Sequence, residues 1–219
     1  MEQKQKTIRV MGVGNINVAP DTTRLRFSVS CKYEEYDDAY TNAVAGNGEL
    51  QKALQKLKLP KESLKTSDFS ITRNREWNSS KSCYVYNGFK LEQTLALELP
   101  IDSVLISKVI AALGAAWPEL EVKISFIRKD VHEIRLQILE AAVKDAREKA
   151  EIIACTLGHK LGGIINVDYS KHRLDISVHE QDFVCGVEDG CAEDKESIDY
   201  TPEDIEAGDT VETVWYLDG

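Results

Sequence analysis

Four histidines and five cysteines are the side chains in this 219-residue sequence best suited to metal or nucleophilic chemistry. His179, Cys185 and Cys191 are the one group worth weighing as metal ligands, since imidazole and thiolate suit zinc. Their spacing opposes it: structural zinc sites pair cysteines two to four residues apart, whereas five residues separate Cys185 from Cys191. His132 falls in the first turn of a predicted helix and His159 just past its end, where histidine commonly serves as a surface or capping residue. His172 is the fourth histidine. Gly12-Val13-Gly14 suggests a phosphate-cradling loop, but no third glycine follows at the required spacing and no helix begins there, so glycines in a twisted or bulged strand are the better reading. The sequence contains no Gly-x-Ser-x-Gly elbow and no His-Glu-x-x-His pair. Trp77, Trp117 and Trp215 could stack a ligand, although such residues more often pack a core or an edge. These patterns assign no catalytic, cofactor-binding or metal-ligating residue. A protein that is not an enzyme is the expectation.

Charge is unevenly placed. The chain carries a net −10, and 13 of its 37 acidic residues lie between Glu180 and Glu212, opposed there only by Lys195. The rest is close to neutral. Nucleic-acid binding needs a basic stripe that displaces counterions, and no such run of Lys and Arg occurs, so nucleic acid is set aside as a partner. The acidic segment lacks the Asp-x-Asp-x-Asp-Gly calcium pattern and reads as a solvated surface excursion from Asp182 to Asp209. No window approaches the run of about 18 apolar residues that spans a bilayer. The start is charged and polar and lacks the apolar segment of a secretory signal, so either the protein stays inside the cell or a signal has been removed; Cys31, Cys83, Cys155, Cys185 and Cys191 are an odd number without disulfide spacing, which fits reduced thiols in the cytoplasm best. Cys155 reads as buried on a helix.

Hydrophobic periodicity supplies the elements. Thr7 to Asn17 and the run Leu25, Phe27, Val29, Cys31 alternate as strands, and Pro20-Asp21 between them suggests a hairpin. Tyr36 to Leu57 has helical spacing, with a kink or a weakening expected at Gly46-Asn47-Gly48. Leu64 to Trp77 and Cys83 to Leu99 form a second, long hairpin. Asp102 is a plausible N-cap for a short helix ending at Gly114, and Val122 to Phe126 follows as a strand. Asp130 and Glu133 have capping-box spacing, and no Gly or Pro interrupts the chain before Gly158, so a single helix is expected from Asp130 to Leu157 with a buried stripe of Leu139, Ala142, Ala146, Ala150, Ile153 and Leu157. Ile164 to Tyr169 and Thr210 to Leu217 close the chain as strands. The predicted class is α+β: a split βαβ (ferredoxin-like) lobe over about 20–129, and a second lobe of about 1–19 plus 130–219 formed by the long helix and the terminal strands.

Ile8, Val10, Gly12 and Gly14, followed by Pro20-Asp21, resemble the opening of the SIMPL-domain family, which includes YggE-like proteins and bacterial periplasmic immunogenic proteins. Lys65 to Phe69, Asn87-Gly88-Phe89, Gly114-Ala115, Ala141 through Glu151, Leu157-Gly158, Leu161-Gly162 and Pro202 to Leu217 continue the resemblance over nearly the whole chain. The resemblance implies no catalytic motif and a link to stress response or signalling, and it implies homo-oligomers for some members. The expected function is therefore a non-enzymatic, self-assembling binding or scaffold protein. The alternative is a metal- or thiol-dependent stress-response protein using His179, Cys185 and Cys191.

Overall fold

The structure, a computed structural model, describes residues 6–80, 82–169, 175–176, 180–181 and 201–218. Its elements in order are β1 (Thr7–Val18), β2 (Thr22–Tyr33), α1 (Tyr36–Lys56), a single 3₁₀ turn (Lys61–Ser63), β3 (Leu64–Asn78), β4 (Cys83–Pro100) and α2 (Ser103–Ala116). There follow β5 (Glu121–Ile127), α3 (His132–Thr156), β6 (Lys160–Asp168), the two-residue strands β7 (Asp175–Ile176) and β8 (Glu180–Gln181), and β9 (Ile205–Asp218). They fall into two compact units.

One unit contains β2, α1, β3, β4, α2, β5 and β8. Its strands lie in the order β3-β4-β2-β5-β8, and every pairing is antiparallel. This is the split βαβ arrangement that the element order predicts. Alternation puts Leu25, Phe27 and Val29 of β2 and Leu91, Leu95 and Leu97 of β4 on one face, where they are at most 2 % exposed. Helix α2 begins as expected, with the Asp102 carboxylate accepting the Val104 and Leu105 N–H groups at 2.9 and 3.1 Å.

Helix α1 is continuous through Gly46-Asn47-Gly48, where a kink or a weakening is expected. The reason is packing. A Cβ on Gly46 would overlap the indole of Trp117, so glycine makes room for a large core side chain. Asn47 and Gln93 exchange amide hydrogen bonds, Gln93 Nε2 donating at 2.8 Å and Asn47 Nδ2 at 3.4 Å, and Gln93 is 2 % exposed. Truncating Asn47 to alanine leaves a buried amide without its partner, so about 1–3 kcal/mol of stability should be lost in denaturant titration. Asn47→Ala combined with Gln93→Leu should recover part of that loss.

The other unit places β9 between β1 and β6, with β7 also on β9. Strand β1 pairs with β9 over its full length, from Thr7↔Tyr216 to Val18↔Ile205. β1 and β2 therefore form no hairpin: Pro20-Asp21 carries the chain from one sheet to the other, and the Asp21 N–H bonds the Ile127 carbonyl at 3.1 Å. Helix α3 lies on β1 and β9, and its buried residues are Ile134, Ile138, Ala142, Ala146, Ala150 and Ala154. The stripe advances strictly by fours. Leu157 and Ile153, expected on it, are 62 % and 41 % exposed, and Cys155, expected to be buried, is also exposed. The capping box does not form, because Val131 occupies the cap position and Asp130 accepts only the His132 N–H, at 3.1 Å. Gly12 and Gly14 are explained by this helix. A Cβ on Gly12 would stand 2.6 Å from the Ala146 methyl, and one on Gly14 2.8 Å from the Ala142 nitrogen, so the glycines and the alanine stripe together permit close approach.

β9 begins at Ile205 rather than Thr210, and this corrects the limits of the acidic surface excursion. Ile205, Ala207 and Asp209 are 4–6 % exposed because their alternation continues that of Val211 and Thr213 on the inner face. Residues 182–200 of the excursion lie outside the described residues.

Candidate interaction surface

Strands β3 and β4 outrun their neighbour. β2 ends at Tyr33, opposite Phe89, whereas the β3–β4 pairing continues to Asn78↔Cys83. Residues 74–87 thus form a two-stranded ribbon beyond the sheet. A bulge marks its root, where Arg73 pairs with Phe89 and Arg75 with Tyr86. Gly88 takes φ +71° there, and a Cβ would meet the Tyr33 carbonyl, so a glycine is required.

Directly opposed residues share a face, so Arg73, Arg75 and Trp77 stand with Phe89, Tyr86 and Tyr84. Three edge-to-face contacts organise the row: Trp77–Tyr84 at 5.3 Å, Tyr86–Phe89 at 5.9 Å and Tyr36–Phe89 at 5.7 Å between ring centroids. The Tyr36 contact joins the row to the first turn of α1. Trp77, Tyr84 and Tyr86 are 57 %, 68 % and 52 % exposed. Among the described residues, Arg73 and Arg75 make no ion pair. At the root, Glu76 is bound by Lys32, by Asn87 Nδ2 at 2.7 Å and by Asn74 Nδ2 at 3.3 Å, and Asn74 also donates to the Asn87 carbonyl at 3.2 Å. Those bonds, Lys32 first, hold the Glu76 carboxyl below its usual range. The network fixes the root of an otherwise unsupported ribbon.

The two sheets treat their edges differently. On β1, Asp145 Oδ2 accepts the Val13 N–H at 2.7 Å, Lys149 reaches the Met11 carbonyl at 3.4 Å, and the two side chains pair at 2.6 Å. Helix α3 thereby covers the backbone groups that would accept another strand. Among the described residues, β3 lies at the end of its sheet and pairs only with β4. Lys149, and then the Val13 N–H, hold the Asp145 carboxyl below its ordinary value. The carboxylate's contribution is therefore present above the ordinary carboxylate range and is lost as pH falls through the depressed value. Asp145→Asn should flatten the acid limb of the melting temperature against pH; an unchanged limb would show that the edge cap contributes nothing.

Among the described residues, the chemistry-bearing side chains are scattered. His132 is exposed, and His159 lies 3.2 Å through Nε2 from Lys6 Nζ. His172, His179, Cys185 and Cys191 lie outside the described residues. No three His, Cys, Asp or Glu side chains among the described residues stand together as a metal site. Burial, and then Glu119, push the Cys31 thiol up, away from the reactive thiolate form. Trp117 is core, and Trp215 is half-buried and donates to Thr213 Oγ1 at 3.0 Å. Of the three tryptophans only Trp77 is displayed. Sequence reasoning passed over the ribbon, although a signal existed: the β3 and β4 patterns are longer than the strand they must flank. It also missed Asp209, which is 6 % exposed and lies beside Tyr169. Burial and then that carboxylate push the tyrosine's pKa up.

The SIMPL family, described as "Protein of unknown function (DUF541)", matches residues 8–215. The chain belongs to the SIMPL family. The match spans both units, so the two-unit architecture is that of a SIMPL chain. No curated protein matches this SIMPL chain. No described helix is long and apolar enough to cross a membrane.

Proposed function

We propose that this SIMPL protein works by binding and self-assembly rather than by catalysis, as a cytoplasmic scaffold. The observation that carries the reading is the braced ribbon, which displays Trp77, Tyr84 and Tyr86 beside two arginines. Trp, Tyr and Arg are the residue types that dominate protein–protein hot spots. An exposed row of them already held by edge-to-face contacts costs less further ordering on binding. Strand β6 gives additional support, with Ile164, Ile165 and Val167 between 42 % and 49 % exposed. Cys83 and Cys155 are free and exposed, which suits a reducing compartment. Light scattering over a wide concentration range tests the proposal: a defined homo-oligomer is expected, and a strict monomer at high concentration overturns it.

A further inference from the structure

Resting on the binding part of that reading, we propose that the ribbon takes an extended acidic peptide of another protein as an added strand along β3. Backbone, charge and pattern each bear on the choice of occupant. Among the described residues β3 ends its sheet, so alternate residues from Phe69 to Trp77 turn N–H and C=O groups away from β4, a row that a further strand can pair with. On β1 such groups of Met11 and Val13 are covered by Lys149 and Asp145 of α3. Beside the open row of β3 stand Arg73 and Arg75, both exposed and, among the described residues, without an ion pair. They lie at i and i+2 of one strand and therefore about 7 Å apart. Glu76, on the other face, is already held by Lys32, Asn74 and Asn87.

The pattern on β3 disfavours a second copy of the same strand. From Phe69 to Trp77 the face of the arginines carries Phe69, Ile71, Arg73, Arg75 and Trp77, so a second β3 would bring no carboxylate to them. A twofold pairing centred on Asn74 would set Arg73 against Arg75, like charge directly opposite like charge. Nucleic acid fits less well than a peptide, since two arginines are few for a ligand whose affinity rests on many phosphate contacts. A strand with acids two residues apart meets both arginines, each guanidinium taking a carboxylate in bidentate hydrogen bonds. An apolar side chain two positions further on then lies against Trp77, and the intervening side chains face the other way and are free to vary. Attraction of this kind is screened by salt, the Debye length falling from about 10 Å at 0.1 M to about 3 Å at 1 M.

The full chain and a fluorescein-labelled probe peptide, Thr-Ile-Thr-Glu-Thr-Glu-Thr-Ile-Thr, test the contact, with a second peptide in which both glutamates are glutamine. By fluorescence anisotropy the glutamate peptide should bind the wild type saturably, and at least tenfold more weakly in high salt. Binding should also fall at least tenfold on R73Q/R75Q, whose fold circular dichroism checks, and at least tenfold for the glutamine peptide on the wild type. Hydrogen exchange should show the peptide protecting amides of β3. No saturable binding, equal affinity for the two peptides, equal affinity of wild type and variant, or protection gained away from β3 overturns the proposal. An oligothymidine that binds where the peptide does not would make nucleic acid the occupant, and a change of oligomer size in R73Q/R75Q without peptide binding would make it a second copy; either result overturns the proposal. A protein that assembles in light scattering but ignores the peptide keeps the scaffold reading and ends this one, whereas a strict monomer that binds the peptide does the reverse.

Discussion

Ala146→Leu should lower the melting temperature by about 6–12 °C. Ala146 is fully buried on α3, its methyl 2.6 Å from where a Cβ on Gly12 would stand, with Val211 packed beside it. A leucine there meets backbone rather than a side chain that can change rotamer. The helix must lift from β1, and lifting it also pulls Asp145 and Lys149 away from the strand edge that they cap. Overpacked cores typically lose about 1–3 kcal/mol, and this site belongs at the upper end because backbone lines it. In a chain of this size each kcal/mol corresponds to about 2–4 °C. Val143→Leu on the same helix, at a 42 % exposed position, is the control and should be close to neutral. An unchanged melting temperature for Ala146→Leu would mean that the helix does not approach the strand this closely.

Trp117→Ala should cost about 3–5 kcal/mol, the usual range for removing a large aromatic from a core. The indole is 6 % exposed, follows the C-terminus of α2, and occupies the space that Gly46 leaves on α1. It therefore bridges the two helices that cover the sheet, and its loss opens a cavity between them. Gly46→Val should destabilise as well, because the added methyls enter the volume of the ring. Hydrogen exchange should locate the loss in α1 and α2. If amides in those helices stay as protected as in the wild type, the indole does not hold them together.

Parts of this architecture were legible from sequence because the forces that set them are local. Asp102 caps α2 through bonds that reach only two and three residues along the chain. The order of strands and helices from Thr22 onward follows from alternating periods of two and 3.6, and a β-α-β-β-α-β order has few ways to fold. Pairing across long separations was not legible in the same way. Pro20-Asp21 signals only that the chain changes direction, so the sequence favoured a local hairpin, whereas 12 matched pairs join β1 to β9 almost two hundred residues away. The buried stripe on α3 lies one position from the expected one at its ends, because alanine carries little hydrophobic signal and Leu157 carries much. The general cost of burying carboxylates argues for placing Asp209 in water. A single buried acid is tolerated here, its Oδ1 accepting the Thr210 N–H at 2.7 Å. For the candidate surface, the aromatic residues were visible as strand formers, and their display depends on β2 ending at Tyr33, which no local pattern encodes.

The fourfold stripe of α3 also limits how the chain can change in length. Each step of four residues turns about 400°, 40° beyond a full turn, so the buried ridge winds slowly around the helix. Its successive parts meet different partners: Ile134 and Ile138 meet Ile16 and Val18, and Ala150 meets Ile8 and Val10. Inserting one residue would rotate everything beyond it by about 100° and set charged side chains against β1. Three residues would leave the ridge about 60° short of its place. Only a block of four continues it, lengthening the helix by about 6 Å, which then requires roughly two more residues in β1 to receive it. Insertions and deletions in SIMPL chains built on this register should accordingly fall in loops, or enter α3 and β1 together in that fixed proportion.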